Sequence, residues 1–222
     1  MLVMHFTMKD WLENYLNSLD GERILARSKV EEEEFLNYPM ILERYNAYDM
    51  KEEDVKVVLT CPYPDPTTPF SSNGLAWSSG DGKPTHRSRT LVKVIERDFD
   101  NKIKVDGNHD FTRYKNQGVF MPYQHIISRW KTGYPNKYVR WDKMMWSAIT
   151  HLVTRPEPKF FIIIYQDSNL SYTGSIMRLN RRLYNHPILL GTREGVFNHR
   201  KNYFYNANQF LIHNNRQPIN WR

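Results

Sequence analysis

VKVVLTCPYPDPTTPFSSNGLAW, residues 55–77, sets an apolar β-branched run against a loop with four prolines in eight positions (Pro62, Pro64, Pro66, Pro69). The opening VKVVLT, residues 55–60, reads as a fully buried strand. Proline fixes its own φ and restricts the residue before it, so the loop from Cys61 to Trp77 is stiff and pre-organised. Tyr63, Phe70 and Trp77 flank it, which suits a slot for a flat, stackable ring, with Asp65 as its acid. The competing reading is a purely structural loop packed over the sheet.

Further elements follow from periodicity. Met8–Leu19 has apolar residues at helical spacing, and a second helix is expected over 33–48. Thr85–Phe99 begins with hydroxyl residues able to cap and continues as an amphipathic helix. Shorter candidates are a helix over 108–116 and a strand over 118–123, followed by a helix over 139–153. KFFIIIYQ, residues 159–166, is the strongest strand in the chain and reads as central. A helix over 172–183, a short strand over 186–190 and a closing helix over 200–214 complete the pattern. Alternating strands and helices make the chain α/β, with a short, mostly parallel four-stranded sheet sandwiched by helices. In such sheets ligands bind at the carboxyl ends of the strands.

At 222 residues the chain is expected to form one domain, residues 1–222, with a helical amino-terminal part over 1–54 and a core over 55–222. No apolar run reaches the length of a membrane span, so no membrane partner is expected. One cysteine, Cys61, excludes an internal disulfide or a cysteine-based metal cluster. An intracellular, cytoplasmic monomer is the resulting expectation. Thirty-one Lys and Arg against 24 Asp and Glu give +7, and the chain is most basic from Lys102 onward. That asymmetry suits a polyanion such as DNA, although a basic chain needs no ligand.

Three local patterns carry candidate chemistry. HPILLGTREGVFNHRK, residues 186–201, joins a histidine, paired leucines and the cations Arg193, His199, Arg200 and Lys201. It offers an acid/base group, an apolar wedge and phosphate contacts; against this, His186 can be structural and Leu189 and Leu190 core residues. Ser88 lies near a helix start beside His86, Arg87 and Arg89, where it serves either a phosphate or an ordinary N-cap. The histidines lack metal-ligand spacing, and no metal or cofactor is expected.

In this order the pieces resemble the uracil-DNA glycosylase superfamily, over roughly three quarters of the chain from Val55 onward. VKVVLT-CPYPDPTTPFSS resembles its strand and water-activating Asp-Pro-Tyr loop. NGLAWS resembles Gly-Leu-x-Phe-Ser, with Trp77 where the base-stacking phenylalanine stands. Ser88, ten residues after Ser78, has the spacing of the family's phosphate-binding serine. DFTRYKNQGV resembles Asp-Leu-x-x-Trp-x-x-Gln-Gly-Val, and HPILL the His-Pro-Ser-Pro-Leu loop. FYNANQFLI and QPINW match the final helix and tail.

The resemblance implies a DNA glycosylase that flips a base and hydrolyses its glycosidic bond, with His186 catalytic and Leu190 intercalating. Departures are equally informative. Cys61 takes the catalytic aspartate's position, and the nearest acid, Asp65, lies four residues later. The base-reading asparagine is missing, its segment holding Met121, Pro122, Tyr123 and Gln124. These imply a non-standard or modified pyrimidine as substrate, as in bacterial defence against phages with modified cytosine. In that reading Tyr63, Phe70 and Trp77 wall the base, and Tyr123 or Gln124 reads its edge. Asp65 and His186 do the chemistry, while Ser88, Arg193, Arg200 and Lys201 hold phosphates. The alternative is a catalytically degenerate homologue kept as a DNA-binding or replication accessory module.

Overall fold

The computed structural model describes residues 7–35, 45–64, 72–126, 139–155, 159–166, 187–192 and 202–222. Asp65, Phe70, the helix expected over 172–183, His186, Arg193, Arg200 and Lys201 lie outside the described residues.

Two helices open the chain. α1, Met8–Leu16, is closed by a capping box: Asp10 N–H donates to Thr7 Oγ1 and Thr7 N–H to Asp10 Oδ2. α2, Leu19–Phe35, starts well before the expected 33–48 helix. Ser18 Oγ accepts from Gly21 N–H in its first turn. A Cβ on Gly21 would lie 2.2 Å from the Tyr15 carbonyl oxygen, so only glycine permits this close approach of α2 to α1. Residues 46–48, inside the span expected to be helical, form a single 3₁₀ turn.

The core sheet contains β1 (Val57–Thr60), β2 (Val119–Phe120), β3 (Phe161–Gln166) and β4 (Ile188–Thr192). Its order is β2-β1-β3-β4 and every neighbouring pair is parallel. All four β1 side chains and Ile162, Ile163 and Ile164 are fully buried. Because successive strand residues point to opposite faces, both faces of the sheet are covered there.

Helices α3 (His86–Asp98), α4 (Thr112–Lys115), α5 (Trp141–Val153) and α6 (Tyr203–His213) complete the described elements. α6 packs on β3, with Phe210 and Phe161 rings 5.7 Å apart. Its amino end is supplied from α3, where Asp98 Oδ2 accepts from Phe204 N–H at 3.0 Å. α4 is shorter than the expected 108–116 helix. Asn108 and Asp110 side chains accept backbone N–H groups two residues on, holding 108–112 in turns rather than a helix. The buried apolar side chains form one cluster running from Met8 to Trp221.

Candidate active site

Strand order marks one position on the sheet. β1 connects to β2 on one side, whereas β3 connects to β4 on the other, so the connections diverge at the β1–β3 pair. In open parallel sheets the crevice forms outside the carboxyl ends of such a pair. Cys61 stands at that end of β1.

Pairing continues past the strand ends and sets the floor of the crevice. Cys61 bridges Tyr123 in parallel, Gln124 N–H donates to the Cys61 carbonyl at 2.8 Å, and His125 N–H to the Pro62 carbonyl at 2.8 Å. Gln124 Nε2 also donates to Thr60 Oγ1 at 3.2 Å. Trp77 reaches the same residue, its indole N–H donating to the Thr60 carbonyl at 3.0 Å. Cys61, Tyr63, Trp77, Tyr123 and Gln124 are thus buried around one strand end.

Trp77 sits at φ +70°, a left-handed conformation that is strained for a bulky side chain. The surroundings impose it. Ala76 N–H donates to the Met121 carbonyl, and Asp110 Oδ1 accepts from Asn73 Nδ2, Thr112 N–H and Thr112 Oγ1. Ser78 Oγ accepts from Phe111 N–H at 2.9 Å. Asp110 is therefore the brace of the tryptophan turn. Sequence reading took it as part of a motif without this role.

Arg87 was the other residue undervalued by sequence, where it counted only as a neighbour of Ser88. From the first turn of α3 its Nη1 donates to Cys61 Sγ at 3.0 Å, and its guanidinium lies 4.4 Å from the Tyr63 ring centroid. Burial by itself would lower the arginine's proton affinity; Cys61 and then Tyr63 more than offset this and hold it above the ordinary value. A sequence signal existed: Arg87 is two residues after the cap Thr85, on the turn that must face the sheet edge if Ser88 and Leu91 are core.

Ser88 is fully buried, and its hydroxyl serves the N-cap. Thr85 N–H donates to Ser88 Oγ at 2.8 Å and Ser88 N–H to Thr85 Oγ1 at 3.1 Å. The exposed polar groups at this helix start are Lys83, His86 and Arg89.

HPILL behaves differently from the loop it was compared with. Leu189 and Leu190 are strand residues of β4, in register with Ile163 and Ile164. Leu190 therefore lies within β4 and not at a loop tip. Pro187 accepts from Ile162 N–H at 2.9 Å, at the amino edge of the sheet. The chain leaves the carboxyl edge only after Thr192, about 16 Å further at ~3.3 Å per strand residue. The residue bonded to Pro187 is His186; the residue bonded to Thr192 is Arg193.

Among the described residues, no group of three His, Cys, Asp or Glu side chains is placed to hold a metal ion. No described helix is long and apolar enough to cross a membrane.

The same architecture occurs in solved structures. A mimivirus uracil-DNA glycosylase superposes with a TM-score of 0.74 at 14% identity, covering 98% of this chain and 90% of that one. A variant of the mimivirus protein in complex with UGI gives 0.77 at 14% identity, covering 96% and 86%. The chain has the uracil-DNA glycosylase fold. Likeness in sequence also runs end to end. A protein named uracil-DNA glycosylase from Desulfitobacterium hafniense is 25% identical over 229 residues, covering 99% of this chain and 98% of the relative. Another so named, from Amoebophilus asiaticus, is 26% identical over 222 residues, covering 96% of each. No family model matches the chain. The chain is thus similar to uracil-DNA glycosylases in fold and, more distantly, in sequence.

Proposed function

We propose that this chain is a monofunctional DNA glycosylase acting on a non-standard or modified pyrimidine, with phage defence as its setting. The carrying observation is the cluster of aromatic side chains at the β1 carboxyl end, in a uracil-DNA glycosylase fold but with Tyr123 and Gln124 where an asparagine would read uracil. Tyr63, Trp77 and Tyr123 supply apolar ring faces for a flipped base, and a pyrimidine leaves stacking in the duplex at a cost that such walls offset. In the reaction water gives its hydroxyl to the sugar C1′, the C1′–N bond breaks, and the remaining proton goes to the departing base. Asp65 is the acid nearest the strand end in sequence and is assigned to the water or the sugar cation. DNA phosphates fall to Lys83, His86 and Arg89 at the rim, with Arg193, Arg200 and Lys201.

The test pairs substrates and variants. The purified chain is incubated with DNA containing uracil, and separately with phage DNA rich in hydroxymethylated or glucosylated cytosine, followed by detection of alkali-labile abasic sites. Abasic sites confined to the modified DNA are expected. Because Pro187 pairs with Ile162 at the amino edge of the sheet, away from the β1 carboxyl end, His186→Ala should keep cleavage within a few-fold. Arg193→Ala removes a proposed phosphate contact and should weaken DNA binding, lowering the salt slope by about 1. Cleavage of uracil DNA would return the chain to ordinary repair specificity. The second reading, a degenerate DNA-binding module, is favoured by the arginine at the crevice floor; salt-sensitive DNA binding without abasic sites in any substrate would select it.

A further inference from the structure

A guanidinium is a permanent cation, and taking one out of water requires a counter-charge or a full set of acceptors. Arg87 is partly buried at the crevice floor, and no carboxylate among the described residues pairs with it. Its recorded contacts are the Cys61 sulfur at 3.0 Å and the face of Tyr63 at 4.4 Å. A neutral thiol is a weak acceptor, and an aromatic face offsets only part of the desolvation. Of the groups in contact, cysteine is the one whose ordinary titration lies nearest neutrality.

We infer that Cys61 is ionised in the folded protein and forms a thiolate–guanidinium pair with Arg87, placing a fixed negative charge at the carboxyl end of β1. Among the described residues, Arg87 Nη1 from α3 lies 3.0 Å from the sulfur, and the Tyr63 carbonyl oxygen from the loop after β1 lies 3.8 Å from it. The carbonyl carries no net charge, so the Arg87 guanidinium is the cation in contact with the sulfur. Burial opposes ionisation, but the guanidinium in direct contact outweighs it. Arg87 acts here as a positioning residue. It holds the anion, while Cys61 presents a charge where the proposed reaction develops a cationic sugar. No bond to sulfur forms, and water remains the nucleophile. This role in the reaction rests on the glycosylase reading; the ion pair itself does not.

The lone cysteine gives an unambiguous test. Far-ultraviolet thiolate absorbance of the full chain is titrated against pH, with Cys61→Ser subtracted to remove tyrosine ionisation. The expected midpoint is at least about 1.5 units below the ~8.5 of a free cysteine. Arg87→Gln should return it to ~8.5 or above, since burial then acts alone. Arg87→Lys, which keeps the charge, should stay depressed. If Arg87→Gln does not fold, the wild-type titration still decides. A wild-type midpoint at or above ~8.5 overturns the inference, whatever the enzyme cleaves. Conversely, a depressed midpoint in a chain that makes no abasic sites leaves the ion pair standing and removes the glycosylase reading. With both in place, the acid limb of the cleavage rate should follow the Cys61 midpoint, and in Cys61→Asp it should move to the carboxylate range.

Discussion

Trp77 is held in two ways that substitution can separate. Its indole N–H is bonded to the Thr60 carbonyl, while its rings fill buried volume beside the strand end. Trp77→Phe loses the hydrogen bond and keeps most of the ring, at an expected cost of about 1 kcal/mol. Trp77→Ala empties the site and should cost about 3–5 kcal/mol, read as a shift of the denaturant midpoint at constant slope. His109 makes a different statement. It is buried with Nδ1 lacking a partner, and burial, then Arg113 and Arg89, lower its pKa from 6.5. The unfolded chain therefore takes up the proton first as pH falls. Stability present above pH 6.5 is lost below it, down towards the depressed folded value, and His109→Gln should flatten that limb of a denaturation series.

At the scale of elements, α3 is where two roles for one hydroxyl compete. Thr85→Ala removes the cap and should cost about 1 kcal/mol. Ser88→Ala breaks the reciprocal bond and should also destabilise, but leave the salt dependence of DNA binding unchanged. A shallower salt slope in Ser88→Ala would instead give the hydroxyl to a phosphate. This helix was legible in the sequence because its signals are local: Thr85 at the cap, apolar positions facing one way, Phe99 just past the end. β1 and β3 were legible for the same reason. α2 was not, because the buried positions described in its first half, Gly21, Ile24 and Ser28, include a glycine and a serine that hydropathy does not count. Gly21 reveals its purpose only against the Tyr15 and Leu16 backbone. HPILL failed differently. Its letters match a loop motif, but Ile188, Leu189 and Leu190 extend the sheet beside the isoleucines of β3, and that pairing decides the conformation. The Cys61–Arg87 contact spans 26 residues, a separation at which no spacing rule operates.

Across the whole molecule the two edges of the sheet carry different duties. The carboxyl edge holds the aromatic cluster around Cys61, and the amino edge is tied down by the carboxyl-terminal tail. Arg216 donates to the carbonyls of Val55, Lys159 and Glu53, gathering the entries to β1 and β3. Beyond it Asn208 grips the tail through Ile219 N–H and carbonyl, and through the Trp221 indole. Trp221 packs edge-on against Phe204 at 4.8 Å and Tyr114 at 5.2 Å, while Tyr114 Oη donates to its carbonyl. One residue thus joins α4, α6 and the tail. Trp221→Ala should cost about 3–5 kcal/mol, since it removes a large buried side chain from a junction that cannot easily collapse. Among the described residues, Trp221 is held by Phe204, Tyr114 and Asn208, away from the β1 carboxyl end, so the variant's folded fraction should cut the same DNA at an unchanged rate per folded molecule. Measuring cleavage well below the variant's melting temperature, alongside its denaturation curve, separates the two effects. A change of base preference in Trp221→Ala would mean that the edges are coupled through the strands and do not act independently.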